Sequence, residues 1–294
     1  MTWAEVDVRQ LHRQANRRRR WGRFGLYAGA ILFAFLAAFP FSWAVVSMFK
    51  QSSDLYVKGN NPFWFNEPPT LEHVELLFAQ THYLTFVRNT VVVGLAVTAI
   101  ALTIALPAAY ALARLRLRWG ERMGIAIFLV YLIPATLLFI PMTRVVTYLG
   151  LQESLWSLIV VYPTITIPIS TWLLMGFFKG IPMDIEEQAR VDGQSRVGAI
   201  VRVVLPLMFP GIVAVVVFAF TLSAHEFIYA LSFNKSSAVK TIATGVPTEL
   251  VRGDVFFWQS LQAAVIFFAV PIALIFNAFL DRFIAGFTMG AVKG

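Results

Sequence analysis

The chain has 294 residues, of which 58% are hydrophobic and only 14% are charged, and it carries a net charge of +8 and no cysteine. Soluble domains average about 25% charged residues, so this composition excludes a single water-soluble core and predicts an all-α polytopic membrane protein. The lack of cysteine excludes disulfides and thiolate metal sites, and the four histidines show no metal-ligand spacing.

The basic residues flank apolar segments. Seven arginines lie between Arg9 and Arg23, just before the first long apolar run, and four more lie between Arg114 and Arg122. Lys and Arg beside membrane spans mark the cytoplasmic side, whereas a nucleic-acid surface would gather them in one folded patch. The pattern therefore predicts contact with lipid, a cytoplasmic N-terminus and no nucleic-acid partner.

Six apolar stretches are long enough to cross a hydrocarbon core, which needs roughly 20 helical residues. They are Phe24–Phe49, Phe86–Ala113, Met123–Leu149, Leu155–Phe178, Leu207–Leu231 and Phe257–Ile284. The first is too long for the apolar part of a signal peptide and no cleavage site follows it, so it is expected to remain as a helix. Pro134, Pro141 and Arg144 interrupt the third. Six spans place both termini in the cytoplasm.

This pattern divides the chain into three parts. Residues 1–23 form a basic cytoplasmic N-terminus, residues 24–85 form the first span and an outer loop, and residues 86–294 form the core. The outer loop is too short for a separate domain and contains a helix-like run, Leu71–Ala79. Within the core, residues 181–212 form a cytoplasmic segment between the fourth and fifth spans.

The cytoplasmic segment reads as helix, glycine turn, helix. Met183–Val191 can form a short helix with Asp184 as its N-cap and two glutamates in its first turn, and Gly193 suits a turn with positive φ. Beyond the turn, five apolar residues recur at helical spacing before Pro206 leads back into the membrane: Val197, Ile200, Val201, Val204 and Leu205. Its mixture of acids and bases favours a protein partner, although an ordinary interfacial loop is the alternative.

The same segment resembles a family signature. Its residues match the EAA motif of permease subunits of ABC importers, with Gln188 in place of the usual second alanine: Glu187, Ala189, Asp192, Gly193, Leu205, Pro206 and Pro210. The six spans, the position of the motif before the penultimate span and the ending GFTMGAVKG are similar to the smaller permease of maltose-type carbohydrate importers. The resemblance implies the type I ABC importer permease fold and a bacterial inner-membrane location.

The resemblance also implies partners and roles. A second permease subunit, two ATPase subunits and an extracytoplasmic solute-binding protein would complete the importer. The residues that would couple to the ATPases are Glu186, Glu187, Ala189, Asp192, Gly193, Leu205 and Pro206. The outer loop Asn234–Asp254 corresponds to the loop that reaches the binding protein, and its candidate contacts are Lys235, Ser236, Ser237, Lys240 and Thr244.

The chain lacks a nucleotide-binding loop, because no lysine follows the G-x-x-x-x-G-K-[ST] arrangement. It is therefore expected to be no enzyme, to have no catalytic residue, metal or cofactor of its own, and to rely on partner subunits that bind ATP and Mg²⁺. An ion-gradient-driven secondary transporter is the alternative, but it would need buried ionisable relays, and the spans contain few ionisable residues.

The transported solute is predicted to be a sugar, most consistent with a di- or oligosaccharide, with a glycerol phosphate derivative as the alternative. Sugar sites combine aromatic faces with hydroxyl and amide groups. The candidate pathway-lining residues are Thr166, Thr171, Trp172, Glu226 and Asn277. Ser and Thr in membrane helices also serve helix packing, which is the alternative for each of them.

Overall fold

The computed structural model describes residues 8–115 and 118–291, and most of these are helical. Residues 1–7 of the basic N-terminus, Arg116 of the basic loop and the last three residues lie outside the described residues. The first half of the described chain contains helices α1 Val8–Met48, α2 Ser52–Tyr56, α3 Glu72–Gln80, α4 Tyr83–Arg114, α5 Gly120–Tyr131, α6 Ala135–Tyr148, α7 Leu155–Val161 and α8 Pro163–Gly180. The second half contains α9 Met183–Val191, α10 Arg196–Ala199, a π turn at Ile200–Val204, α11 Leu205–Leu207, α12 Phe209–His225, α13 Ile228–Phe233, α14 Ile242–Leu250, the strands β1 Val251–Arg252 and β2 Val255–Phe256, and α15 Trp258–Ala291.

The described helices include four that are long and apolar enough to cross a membrane: Gly22–Met48, Tyr83–Arg114, Leu155–Gly180 and Trp258–Phe279. Two bent pairs bring the number to six if each pair is one span. The pair α5 and α6 bends by 86°, and the segment from Arg196 to His225 bends by 71°. The prediction of an all-α polytopic membrane protein is confirmed, and the short hairpin of β1 and β2 is an addition to it.

The third and fifth predicted spans are not continuous helices. Pro134 ends the first half of the third span and precedes α6 with an extended backbone (φ −59°, ψ 126°), since proline supplies no backbone N–H and disfavours helix before it. The fifth was predicted to continue to Leu231, but α12 ends at His225 and the chain is extended at Glu226 before α13 begins. The helix-like run of the outer loop is α3, as predicted.

Helix α4 is the centre of the bundle. It packs against α8, α12, α5 and α14, and its buried face consists mainly of small and β-branched residues such as Val93, Val97 and Ala101. Small side chains let neighbouring backbones approach closely in a membrane bundle. The approach of α14 is close enough that a Cβ at Gly245 would clash with the ring of Phe86, so glycine fixes the seating of α14 on α4.

Helix α1 lies apart from this bundle. It packs mainly against α15, and its apolar side chains from Phe24 to Leu36 are largely exposed. Apolar surface of that extent indicates a lipid or protein neighbour.

The outer loop after α1 folds around a buried ion pair. Lys50 Nζ lies 3.5 Å from Asp54 Oδ1, with both side chains fully buried, and it donates to the Asn61 carbonyl at 2.8 Å. Asp54 also accepts hydrogen bonds from the backbone and side chain of Asn66. Because a buried charge is tolerated only when it is paired and hydrogen-bonded, this cluster holds α2 and the loop after it in place on the outer side.

Candidate functional site

The first candidate site is the cytoplasmic segment, whose first helix, α9, has the predicted bounds. Asp184 is not its N-cap. The chain leaves α8 in an extended conformation, and Pro182 (φ −56°, ψ 137°) is the N-cap without a side-chain hydrogen bond. Met183 is therefore already helical, and Asp184 lies in the first turn, where its carboxylate complements the positive end of the helix.

The glycine turn is present and the second helix is modified. Gly193 has φ +89°, and its amide lies 3.2 Å from the Arg190 carbonyl, which closes α9. The π turn then interrupts the predicted apolar face: Val204 is buried, whereas Val197 and Val201 are exposed. A π turn has a longer repeat than an α-helix, so the sequence spacing does not place all five residues on one side.

The seven predicted coupling residues divide by exposure. Glu186 and Ala189 are buried, with Glu186 only 2% exposed. The others are half-buried or exposed: Leu205 is half-buried, and Glu187, Asp192, Gly193 and Pro206 are exposed. Exposed residues of α9 and its glycine turn thus form one outward surface, which we call the α9 knob (Glu187, Gln188, Val191, Asp192 and Gly193).

Buried Glu186 joins the α9 knob to the membrane bundle. Its Oε1 accepts a hydrogen bond of 2.5 Å from the Tyr110 hydroxyl on α4, and Arg196 Nε donates to the same hydroxyl at 3.3 Å. One turn later on α4, Arg114 Nη2 donates to the Ile181 carbonyl at 2.8 Å. A short hydrogen bond to a carboxylate is among the stronger kinds, so the Glu186–Tyr110 contact attaches α9 to α4, and Arg114 attaches the linker before α9 to the same helix.

The second candidate site is the outer loop Asn234–Asp254, which is held in place at several points. Glu153 accepts hydrogen bonds from the Lys235 and Ser236 amides, both at 2.9 Å, although its backbone is left-handed (φ 53°), a conformation uncommon for residues other than glycine. Asn89 on α4 donates to the Ala238 and Lys240 carbonyls, each at 2.9 Å. The loop is therefore a shaped surface in this chain.

The five predicted binding-protein contacts differ in position. Lys235 and Ser236 are exposed, and Ser237 and Lys240 are half-buried. Thr244 is 0% exposed, because α14 packs on α4 and its hydroxyl donates to the Thr241 carbonyl at 3.3 Å. The β1–β2 hairpin beyond α14 has Arg252 to Phe256 largely exposed; it overlaps the end of the predicted loop Asn234–Asp254, but none of its residues was among the predicted contacts.

Glu249 ties the far end of α14 to the start of α4. Its Oε2 accepts from the His82 amide and its Oε1 lies 2.9 Å from His82 Nδ1, and Ser237 donates to Oε1. Burial alone would raise the pKa of the Glu249 carboxyl, but the His82 and Ser237 hydrogen bonds and the His82 charge outweigh it and hold the pKa below its usual value.

The candidate pathway residues lie in different surroundings. Thr166 and Thr171 are buried, and their hydroxyls donate to carbonyls of their own helix, those of Tyr162 and Ile167. Trp172 stacks on Phe128 with ring centroids 4.9 Å apart. Asn277 on α15 is exposed.

Glu226, the remaining candidate, lies at the break between α12 and α13. It accepts hydrogen bonds from the Tyr162 hydroxyl at 2.8 Å and from the Tyr229 and Ala230 amides. The Glu226 carboxylate thus satisfies free amides in the first turn of α13, whose N-cap residue is Phe227. Lining of a pathway by any of the five residues stays a prediction.

Sequence reasoning missed the residues that hold these surfaces. Tyr110, Arg114, Glu153 and Asn89 were not selected, because each acts through a partner that is distant in sequence. One signal was available: Tyr110 and Arg114 are one helical turn apart at the cytoplasmic end of α4, where an aromatic hydroxyl and a cation on one face could meet the neighbouring loop.

Comparison with known proteins identifies the family of this chain. The family of binding-protein-dependent transport system inner membrane components has a model that matches residues 101–288, a range that includes the whole cytoplasmic segment. A sulfoquinovosyl glycerol transport system permease protein of Agrobacterium fabrum is 35% identical over 257 residues, which are 87% of this chain and 89% of that protein. A diacetylchitobiose uptake system permease protein of Streptomyces coelicolor is 30% identical and aligns with 95% of this chain and 100% of its own length.

Two further similarities extend the comparison. A trehalose/maltose transport system permease protein of Thermococcus litoralis is 28% identical over 280 residues, which are 92% of this chain and 97% of that protein. A chain in the crystal structure of a bacterial ABC transporter that imports the acidic polysaccharide alginate superposes with a TM-score of 0.73 at 17% identity, covering 90% of this chain and 98% of that one. At that identity the superposition shows a common fold.

Proposed function

This chain belongs to the family of binding-protein-dependent transport system inner membrane components, and from that membership we propose that it is the permease subunit of an ATP-driven sugar importer. The observation that supports this most is that the family match includes the cytoplasmic segment, in which the motif residues Glu187, Asp192 and Gly193 are exposed on the α9 knob. Relatives named for glycoside, disaccharide and diacetylchitobiose transport support a di- or oligosaccharide as the solute. The ion-gradient-driven alternative finds no support in these relatives.

The proposed coupling runs through the α9 knob. Two partner ATPase subunits, which bind ATP and Mg²⁺, would each dock on one permease. In this chain Glu187, Asp192 and the Gly193 turn are exposed and would form the docking surface. Inward-facing Glu186 would pass the movement of α9 to α4 through Tyr110. A docked helix transmits a rigid-body movement only through a fixed connection, because a flexible connection would let α9 move without moving α4.

The proposed binding-protein surface is the exposed part of the outer loop. Lys235 and Ser236 are available, Ser237 and Lys240 lie at its edge, and the β1–β2 hairpin projects beside them. Thr244 would contribute by seating α14 on α4, since its side chain is buried. Glu153 would keep the surface in one shape, which lowers the entropy lost on docking.

The proposal includes orientation and assembly. Both termini lie in the cytoplasm of a bacterial inner-membrane complex, as the arginine clusters indicate. A second permease would cover the exposed side of the bundle and share the pathway, to which Thr166, Thr171, Trp172, Glu226 and Asn277 would contribute where the two subunits meet.

The test is a purification from native membranes in mild detergent, followed by mass spectrometry. Recovery of an ATPase with a nucleotide-binding loop, a second permease and a soluble binding protein is the expected result, and the sugar retained by the binding protein would identify the solute. A chain that purifies alone and moves solute into liposomes without ATP would refute the proposal.

A further inference from the structure

A groove on the outer side of the chain has the chemistry of a carbohydrate site. It lies between the end of α1, α2, α3 and the start of α15, and it has two lobes with volumes of about 380 Å³ and 420 Å³. Tyr56, Trp258 and Gln259 line both lobes, so the lobes are adjacent. Each volume is within the range of about 300–1,000 Å³ that is usual for small-molecule sites.

The groove contains buried polar atoms without a partner. Ser47 is 1% exposed and lines the first lobe, and its hydroxyl makes no hydrogen bond. His73 is 6% exposed and lines the second lobe, and its Nε2 makes none. Leaving a buried polar atom unpaired costs free energy, and two such atoms in one groove point to a hydroxylated ligand that would pair with both.

The state of His73 suits such a ligand. Burial lowers the pKa of this imidazole, more than the nearby Glu72 charge and the Lys50 backbone raise it. The ring is therefore neutral at pH 7, and a neutral imidazole has one donor nitrogen and one acceptor nitrogen. An acceptor of this kind takes a hydrogen bond from a ligand hydroxyl.

Aromatic rings form the walls of the groove. Trp258 stacks on Phe256 with ring centroids 5.1 Å apart and an interplanar angle of 7°, which holds the indole rigid. Tyr56 and Trp258 are exposed at the rim, and Gln259, 2% exposed, supplies an amide below them. Ring faces for the C–H surface of a sugar, with an amide, a hydroxyl and an imidazole for its hydroxyls, form a carbohydrate-type set.

We propose that this groove is a saccharide-binding subsite on the outer side of the permease, distinct from the candidate pathway residues. A neutral glycosyl unit lies against Trp258 and Tyr56, with hydroxyls paired to Ser47, His73 and Gln259. The inference rests on the proposed function, because it assigns to the sugar of that importer a first contact outside the pathway.

The test uses the assembled importer in lipid nanodiscs, without its binding protein. Saturation-transfer NMR with trehalose and with maltose as probes reports weak contact between protein and sugar. In the wild type we expect saturation transfer to at least one of the two sugars. The affinity for that sugar should be about tenfold lower in Ser47→Ala, in Trp258→Ala and in Gln259→Leu. Ser47→Ala removes only a hydroxyl that has no partner, so the fold is retained.

Matched controls share the same elements or residue types. Ser42 lies on α1 and its hydroxyl bonds its own helix, and Trp156 is exposed at the start of α7. Ser42→Ala and Trp156→Ala are expected to bind the probes as the wild type does. No transfer in the wild type, or equal transfer in Ser47→Ala and Trp258→Ala, would overturn the proposal. Density for a lipid headgroup in the groove in the presence of sugar, by electron microscopy, would also overturn it.

Uptake separates this proposal from the proposed function. The same preparations in liposomes, with binding protein and ATP, are assayed for uptake of the sugar that the binding protein retains. ATP-driven uptake by the wild type together with unchanged probe contact in the groove variants refutes the subsite alone. Absence of any ATP-driven sugar uptake by the wild type refutes the proposed function.

Discussion

Removing the Tyr110 hydroxyl tests whether α9 is attached to the bundle as the structure indicates. In Tyr110→Phe the Glu186 carboxylate keeps its place, 2% exposed, but loses the short hydrogen bond that satisfies Oε1. Its Oε2 has no partner either. Hydrogen bonds to charged groups contribute about 1.5–3 kcal/mol, so local opening of α9 becomes easier by that amount. At about 1.4 kcal/mol per factor of ten, its protected amides exchange roughly 10- to 150-fold faster.

Hydrogen exchange followed by mass spectrometry on the assembled importer measures this effect, since it reports the opening of individual segments. Peptides that cover Met183–Val191 are compared between wild type and Tyr110→Phe. The matched control is Tyr148→Phe, because Tyr148 on α6 is 90% exposed and its loss should leave α9 unchanged. The variant should also transport fewer sugar molecules per ATP hydrolysed, since a looser α9 transmits less of the ATPase movement.

A double-variant cycle excludes a purely steric explanation. Glu186→Gln and Tyr110→Phe are measured singly and together, and their coupling energy is expected to exceed about 1 kcal/mol. A coupling energy near zero, or unchanged exchange of α9 in Tyr110→Phe, would show that packing alone holds α9 and that the polar connection has no mechanical role.

Three further predictions follow from exposed and loop residues. Glu187→Lys reverses an exposed charge of the α9 knob, so it should lower sugar-stimulated ATPase activity and transport by at least about tenfold while the complex still folds. Normal coupled transport in this variant would contradict the assigned docking surface. Gly193→Pro should uncouple transport from hydrolysis, because φ is +89° there and proline is fixed near −65°; tight coupling in the reconstituted variant would count against it. The pKa of Glu249 is held below its usual value, so this carboxylate stabilises the α14 seat above its unfolded pKa, and the contribution is lost as the pH falls through the lower folded pKa. The protection of α14 amides against hydrogen exchange should therefore fall over that acid range in the wild type but not in Glu249→Gln, and equal pH dependence in both would refute the role of this carboxyl.

The apolar spans and the first helix of the cytoplasmic segment, α9, could be predicted from sequence because their causes are local. The thickness of a bilayer sets the length of apolar helix needed to cross it, and six apolar runs reach that length. The bounds Met183–Val191 are confirmed to the residue, because a proline precedes this helix and a glycine turn follows it. Pro134 likewise predicted the interruption of the third span, since a missing N–H acts wherever proline occurs.

The side to which each residue faces was decided by tertiary contacts. Glu186 and Glu187 are adjacent and chemically alike, yet one is buried against Tyr110 and the other exposed, because α9 has a single face toward α4. Thr244 is polar and was predicted at a surface, but the seating of Gly245 on Phe86 buries it. Spacing along the chain cannot reveal which of two neighbours meets a helix that lies 76 residues away in sequence.

The sequence by itself determined that this chain crosses a membrane as helices and that a short helix and a glycine turn lie in the cytoplasmic segment, since hydrophobic length and turn chemistry act between near neighbours. The tertiary structure alone decided that the loop Asn234–Asp254 is held in place, that Tyr110 and Arg114 hold α9 and the residues before it, and that Ser47, His73 and Trp258 line one groove. These last three residues belong to α1, α3 and α15, and only the packing of those helices brings their side chains within reach of one ligand.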